Sequence, residues 1–492
     1  MYRQAGWYRS LKQFFDAVRS SKTRQGSTAA HSCHKRRFET LEERAVLSAN
    51  FGSALTIGNG VDNSVVFDVA TDSAGYRYVS GWFAGAVDFD VSNLHEGDAD
   101  ILTARGPGDA YVAKYAPDDS LVWVQPMGGD GPSADMASRL AVDSAGAVYV
   151  VGTFHISADF GATTLTSAGD WDRFVTKLDA SGNFLLAQPW DDDEGATRGM
   201  DVDAAGNMYV LIGRLGDAYE ITKIGASGHE VWSKTIANRS MLGSADLAVN
   251  AAGTVYIAGS FDGTVDFDPS AKTKYVSSGT ARAGFVLKLD TNGKFGWVSP
   301  FIGKKVGSIN GASGATSITL DGSGNILVGG TFNGTVDFNP GSGTTYLTNQ
   351  SGGFVTKLTS AGALVWVKPL LGNASTFVYG LDVDAAGNIY ATGTFHGTVD
   401  LDPGSGAYSR TTTGQGDVYV MKLTSAGNFV WAETFGGSGN DVSNGIAVDS
   451  SGNVIVAGNY RDPFDVDPDP LAIELLRGGS AQRGFLLRLG HS

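Results

Sequence analysis

The chain has 492 residues, 68 of them glycine, and a formal charge of −15. Its first 49 residues hold ten Lys and Arg against four Asp and Glu, so the remainder carries 26 basic and 47 acidic residues, a net −21. Such an excess repels phosphate backbones and argues against a nucleic-acid partner; the single cysteine, Cys33, excludes an intrachain disulfide.

Residues 1–44 read as a separate basic segment. Trp7, Leu11, Phe14, Phe15 and Val18 fall at helical spacing among basic side chains, which predicts a short amphipathic helix. No apolar run resembles a signal-peptide core, and none is long enough to span a membrane. Residues 36–48 read Arg-Arg-Phe-Glu-Thr-Leu-Glu-Glu-Arg-Ala-Val-Leu-Ser. This resembles the Leu-Glu-Pro-Arg-x-Leu-Leu sorting motif near the start of many large bacterial surface and secreted proteins, with Glu43 replacing the Pro and Val46 the first Leu. The resemblance implies export; a disordered basic tail is the other reading.

From residue 45 to 492 one unit is written seven times. Its anchor is an Asp or Asn three residues before a Gly: Asp72, Asp143, Asp203, Asn250, Asp321, Asp384 and Asp449. Their mean spacing of about 63 residues is that of a repeat array. In the sixth copy, short β-branched and aromatic runs flanked by Gly, Asn and Asp predict strands at about 380–384, 389–395, 418–423 and 428–433. The anchor Asp and the Gly after it make a tight turn, the carboxylate accepting backbone N–H groups and the Gly taking positive φ. Four strands per copy and seven copies predict an all-β, seven-bladed β-propeller.

A Trp recurs in the fourth strand at Trp123, Trp232, Trp297, Trp366 and Trp431, with Leu186 in the second copy, and reads as packing between blades. The seventh copy ends after its third strand. Aligning Phe51-Gly52 with Phe435-Gly436 places Leu47 on Trp431, so an N-terminal strand at about 45–51 is expected to complete the last blade and close the ring.

Residues 445–458, Gly-Ile-Ala-Val-Asp-Ser-Ser-Gly-Asn-Val-Ile-Val-Ala-Gly, and 284–289, Gly-Phe-Val-Leu-Lys-Leu, are the motifs that carry a family likeness. They resemble the SBBP-type β-propeller repeat proteins of bacteria. The first is also similar to NHL repeats, which are shorter and lack the Val-Asp-Phe-Asp-Pro insertion. The resemblance implies a propeller of secreted or envelope proteins and brings no defined catalytic residues. The third copy departs from it, having no insertion after Gly213.

In a blade, the 1–2 and 3–4 turns share one face and the 2–3 and 4–1 loops the other. The first set is uniform and the second varied, so the 2–3/4–1 face is the expected binding surface. One position there differs between copies: Ala84, His155, Asp262, Asn333, His396 and Arg461. His155, Asp262, Asn333, His396 and Arg461 are candidate ligand residues at the channel mouth; solvated loop positions free to drift is the alternative. The acidic run Asp191–Glu194 reads as solvated. The insertions place Asp266 and Asp268, Asp400 and Asp402, and Asp465 and Asp467 as oxygen pairs that suit Ca²⁺, or as plain Asp-Pro turns. A basic residue closes every third strand, from Lys114 to Arg488, and is expected to pack its stem and meet a nearby carboxylate.

No Gly-x-Ser-x-Gly or His-Glu-x-x-His motif occurs. The expected function is a monomeric, non-catalytic, extracytoplasmic scaffold, secreted or on the envelope of a bacterium, that binds a protein or glycan without a cofactor other than calcium. The alternative is a propeller-fold hydrolase or lyase acting on polysaccharide or another extracellular polymer. It would gain if His155 and His396 met an acidic cluster across the channel.

Overall fold

The computed structural model describes residues 50–58, 63–90, 101–190, 195–214, 218–236, 243–279, 281–467, 475–476 and 482–490; the basic segment and its sorting-like motif lie outside them. Every regular element among the described residues is a β-strand. The first six repeat copies each fold as four antiparallel strands in up-and-down order, and the seventh supplies three that are joined by Asn50–Ile57. In the sixth copy these are Gly380–Val383, Ile389–Phe395, Asp417–Leu423 and Phe429–Gly437, the last running further than its sequence pattern implied.

The anchor turn forms as its chemistry dictates. Asp384 Oδ1 accepts the N–H groups of Ala386 at 3.0 Å and Asn388 at 2.8 Å. Its Oδ2 accepts Asn388 Nδ2 at 2.8 Å and the Tyr390 hydroxyl at 3.1 Å. Gly387 closes the turn at φ 82°, a conformation that suits a residue without Cβ. The third-strand lysines complete the cluster. Lys357 pairs with Asp321 at 2.8 Å and Lys223 with Asp203 at 3.6 Å, while Lys422 stands over the Tyr390 ring. Others reach the next copy: Lys114 donates to the Ala180 carbonyl, and Arg488 to the Pro117 carbonyl.

The core lies between successive sheets. One cluster joins Tyr209 and Ile221 of copy three to Ile257 and Phe285 of copy four. Another joins Ile57 and Val79 to Ile455 and Leu486, from opposite ends of the chain. The fourth-strand Trp does bridge neighbours: the indole N–H groups of Trp123, Trp232 and Trp366 donate to Ala180, Thr291 and Ser425 carbonyls in the next copy. A Cβ at Gly182 would stand 2.8 Å from the Trp123 ring, so this turn stays Gly for clearance as well as for φ.

The N-terminal strand is displaced from its expected register. Asn50–Ile57 pairs with Arg483–Gly490. Phe51 faces Leu489 as Phe429 faces Leu423, and Ser53 faces Arg488 as Trp431 faces Lys422. Ser53 rather than Leu47 therefore takes the Trp place, and buried Ile57 rather than Phe51 takes the place of Phe435. Gly52 sits in the bulge, as Gly296 does in Phe295-Gly296-Trp297. Leu47 lies outside the described residues.

The insertions are small hairpins that reach back to the preceding sheet. Thr264–Asp266 pairs with Tyr275–Ser277, and Thr398–Asp400 with Ser409–Thr411. Asp337, Asp400 and Asp465 also pair with Ile302, Leu371 and Gly436 of the sheet before. The residue between the paired Asp or Asn positions is a plug: Phe89, Phe267, Phe338, Leu401 and Val466 are all fully buried.

Candidate functional site

The first strands of successive copies pack side by side, and Ser64–Thr71 of copy one packs against both Met136–Val142 and Val442–Val448. Together they line a cavity of about 410 Å³. Four of these strands carry an aspartate that ties two strands together. Asp246 Oδ1 accepts the N–H of Leu247 at 2.8 Å, and its Oδ2 accepts the N–H of Ile318, in the next copy, at 3.1 Å. Asp68 does the same with Val69 and Leu140, Asp201 with Val202 and Val249, and Asp382 with Val383 and Val448. Burial pushes Asp246 up to about 7 and Asp201 and Asp382 up to about 6. The Arg139 charge acts against that rise at Asp68 and Asp246. Arg139 itself is held by the carbonyls of Arg198 and Ser138. These four aspartates thus serve the joints between strands.

None of the five candidate ligand residues lines that cavity. His155 also departs from the expected exposed loop: it lies within the strand Val148–Phe160, only 7% exposed, its ring edge-on to Trp171. Pairing with Trp171 in the long third strand carries the sheet past the place where the second strand of copy four or six ends. Asp262 and His396 are half-buried, and Asn333 and Arg461 are exposed. The structure brings Asn333 and His396 toward one aromatic residue, Phe377. Asn333 shares a cavity of about 270 Å³ with Phe377, and the His396 ring meets Phe377 edge-on at 6.2 Å. His396 Nδ1 lies 2.6 Å from the Gln415 carbonyl.

Two equivalent acidic pairs are buried on the 2–3/4–1 face, Asp109 with Asp135 and Asp417 with Asp441. Burial pushes Asp135 and Asp441 up to about 7. Asp135 accepts the backbone N–H groups of Gly129 and His155, and Asp441 that of Gly437. No imidazole nitrogen of His155 or His396 is hydrogen-bonded to a carboxylate among the described residues.

The proposed calcium pairs are engaged in turns. Asp266 Oδ1 accepts the N–H groups of Asp268 and Lys274, and Asp400 Oδ1 those of Asp402 and Tyr408. Asp465 Oδ1 accepts the Asp467 N–H. Asp268 and Asp402 cap the following residues, Ser270 and Gly404. No group of three or more His, Cys, Asp or Glu able to hold a metal occurs among the described residues.

No protein-family model matches the chain. One curated relative, an uncharacterized WD repeat-containing protein of Acanthamoeba polyphaga mimivirus, is 38% identical over 90 residues, which is 17% of this chain and 6% of that protein. The chain thus spans a small part of that relative's length. The chain is a β-propeller repeat protein. Similar solved structures include the Mitotic Checkpoint Complex, with a TM-score of 0.43 and 10% identity over 96% of this chain and 100% of that one. Sqt1 from Chaetomium thermophilum matches with a TM-score of 0.39 and 11% identity over 90% of this chain and 100% of that one. A protein of unknown function from Bacteroides caccae matches with a TM-score of 0.33 and 13% identity over 66% and 89%. Scores this low carry no argument about function. No helix among the described residues is long and apolar enough to cross a membrane.

Proposed function

We propose that the chain is a closed, seven-bladed propeller of the SBBP type that acts as a non-catalytic binding scaffold, exported by a bacterium and monomeric. Closure is supported by the pairing of Asn50–Ile57 with Arg483–Gly490 and by the packing of Ser64–Thr71 on Val442–Val448. Export rests on the sorting-like motif at residues 36–48.

The observation that carries the binding reading is the contrast between the two faces. The 1–2 turns repeat one hydrogen-bonded arrangement from Asp72 to Asp449. The opposite face varies from copy to copy and holds the cavity beside Phe377 and Asn333. A rigid frame presenting a varied loop face is how scaffolds display recognition surfaces. The elevated carboxyls Asp135 and Asp441 favour the alternative, an enzyme acting on an extracellular polymer. Against it, each is at most 2% exposed and receives backbone N–H groups, which leaves little room to reach a substrate.

The test is a glycan and protein-partner screen with the full chain, with and without Ca²⁺, followed by an assay of each binder for cleavage. Binding without turnover is expected. Turnover would establish the enzyme reading, and binding that requires Ca²⁺ would assign the insertion aspartates to a metal.

A further inference from the structure

The cavity beside Phe377 lies where copies four, five and six meet. Its lining includes the rings of Phe332 and Phe377, one cation, one amide and several hydroxyl groups. Phe377 is half-buried and stacked on Tyr379 at 5.5 Å with an interplanar angle of 7°. Its backbone N–H is bonded to the Thr394 carbonyl at 2.9 Å. The ring is thus a fixed platform, backed by Tyr379 on one face and met edge-on by His396.

Around it stand Asn333, Ser351, Ser375, Thr376 and Arg282. The Ser351 and Ser375 hydroxyls are 3.3 Å apart. Thr376 is 1% exposed, and its hydroxyl has no hydrogen-bond partner in the protein. Its place is the one that Ser64, Asp135, Ser313 and Asp441 fill in other copies, all of them buried, so it belongs to the wall of the cavity. Arg282 is exposed and forms no ion pair among the described residues. A guanidinium fork matches a carboxylate in two-point geometry.

We infer that this cavity binds a saccharide unit bearing a carboxylate, a uronic acid residue at the end of a chain or in a short oligomer; the inference rests on the reading that this face binds ligands. The C–H face of the sugar ring lies on Phe377, its hydroxyls meet Asn333 and the serine pair, and its carboxylate meets Arg282. A volume of about 270 Å³ lies just below the usual range of ligand cavities, about 300–1,000 Å³. It suits a single sugar unit. The formal charge of −15 opposes a long polyanion, which also favours a short or terminal unit.

The experiment is titration calorimetry of the full chain with trigalacturonic acid, with the neutral galactose trimer, and with an acetylated acidic peptide of the same charge. The uronate is expected to bind best. Arg282→Ala should remove the preference for uronate over the neutral trimer, a loss of roughly tenfold. Phe377→Leu keeps apolar bulk but not the ring, and should weaken both sugars while the melting temperature stays near that of the parent chain. Absence of sugar binding overturns the inference, as does equal binding of the peptide or an unchanged preference in Arg282→Ala. Reducing ends are measured in the same samples. Cleavage would sink the scaffold reading but leave the ligand class standing; no sugar binding would sink the ligand class but leave the scaffold.

Discussion

At the scale of single residues, the buried aspartates set how stability responds to pH. Asp201, Asp246 and Asp382 are pushed up to about 6, about 7 and about 6, above the roughly 3.9 of an unfolded chain. The folded state therefore binds more protons than the unfolded state between those values. Their contribution is full below about pH 4 and is lost as pH rises through 6 to 7. At the anchors Asp203, Asp321 and Asp384, burial pulls upward, but hydrogen bonds outweigh it and hold them below the usual carboxylate range. Their contribution has the opposite sign and is lost as pH falls through those lowered values. The melting temperature is expected to be higher at pH 5 than at pH 8, and to drop again in strong acid. Asp246→Asn should melt lower at pH 5 and show a flatter slope to pH 8, because an amide N–H₂ then faces one of two backbone N–H groups. A melting temperature that rises from pH 5 to pH 8 would contradict the assignment. The anchors were readable from their fixed spacing before a Gly. The strand-tying aspartates were not, because Asp68 and Asp246 stand four residues before the anchor and Asp201 and Asp382 only two. Two registers that do the same work escape a strict repeat comparison.

At the scale of elements, the insertion hairpins act as plugs. Phe267 is fully buried and packs edge-on against Phe261 at 5.1 Å and Phe285 at 4.8 Å. Phe267→Ala is expected to destabilise by about 3–5 kcal/mol in denaturant unfolding, the usual cost of emptying an aromatic site. Val231→Ser, at a bulge position 58% exposed, should change stability by no more than about 0.5 kcal/mol. The acidic pairs flanking each plug drew attention in the sequence as metal ligands. One oxygen of each of Asp266, Asp400 and Asp465 accepts N–H groups of its own hairpin, a turn that an Asp two residues before an N–H makes in any case. The N-terminal strand was legible by need, because the seventh copy lacked its fourth strand, but not by register. The Phe51-Gly52 pair matched Phe435-Gly436 as letters, whereas the bulge makes it the counterpart of Phe295-Gly296. A chain starting at Asn50 should melt well above one starting at Asn59 and scatter less light on heating, since the shorter chain loses the buried Ile57 and exposes a strand edge. Equal melting curves would show that the pairing contributes nothing.

At the scale of the whole molecule, the junction between the last and first copies has a lock of its own. Asn459 Oδ1 accepts the Val66 N–H at 3.0 Å and its Nδ2 donates to the Val66 carbonyl at 3.0 Å, which Asn444 Nδ2 also reaches. The second-strand residue at this place is Thr331 in copy five and Thr394 in copy six. Asn459→Ala leaves the carbonyl served by Asn444 but orphans the N–H. The expected cost is about 1–3 kcal/mol, seen as a lower unfolding midpoint, with an accompanying rise in hydrogen exchange at Val66. Loss of midpoint without faster exchange there would mean the effect is not at the junction. The repeat period made the architecture legible, because seven anchors recur whatever the loops do. The proposed binding face was legible only as a face. Thr376 stands eight residues before its anchor, as Ser64, Asp135, Ser313 and Asp441 stand before theirs, and the convergence of Phe377, Asn333 and Arg282 depends on which copies are neighbours.

The pairing of Asn50–Ile57 with Arg483–Gly490 also has a consequence in time. During synthesis at about 5–20 residues per second, the early strand waits on the order of tens of seconds for its partner to be made. Until then the nascent chain is an open stack with a sticky edge at each end. A transcript cut short anywhere before Arg483 would yield a polypeptide that stays in that state and is exposed to proteases, so the cell is left with finished molecules.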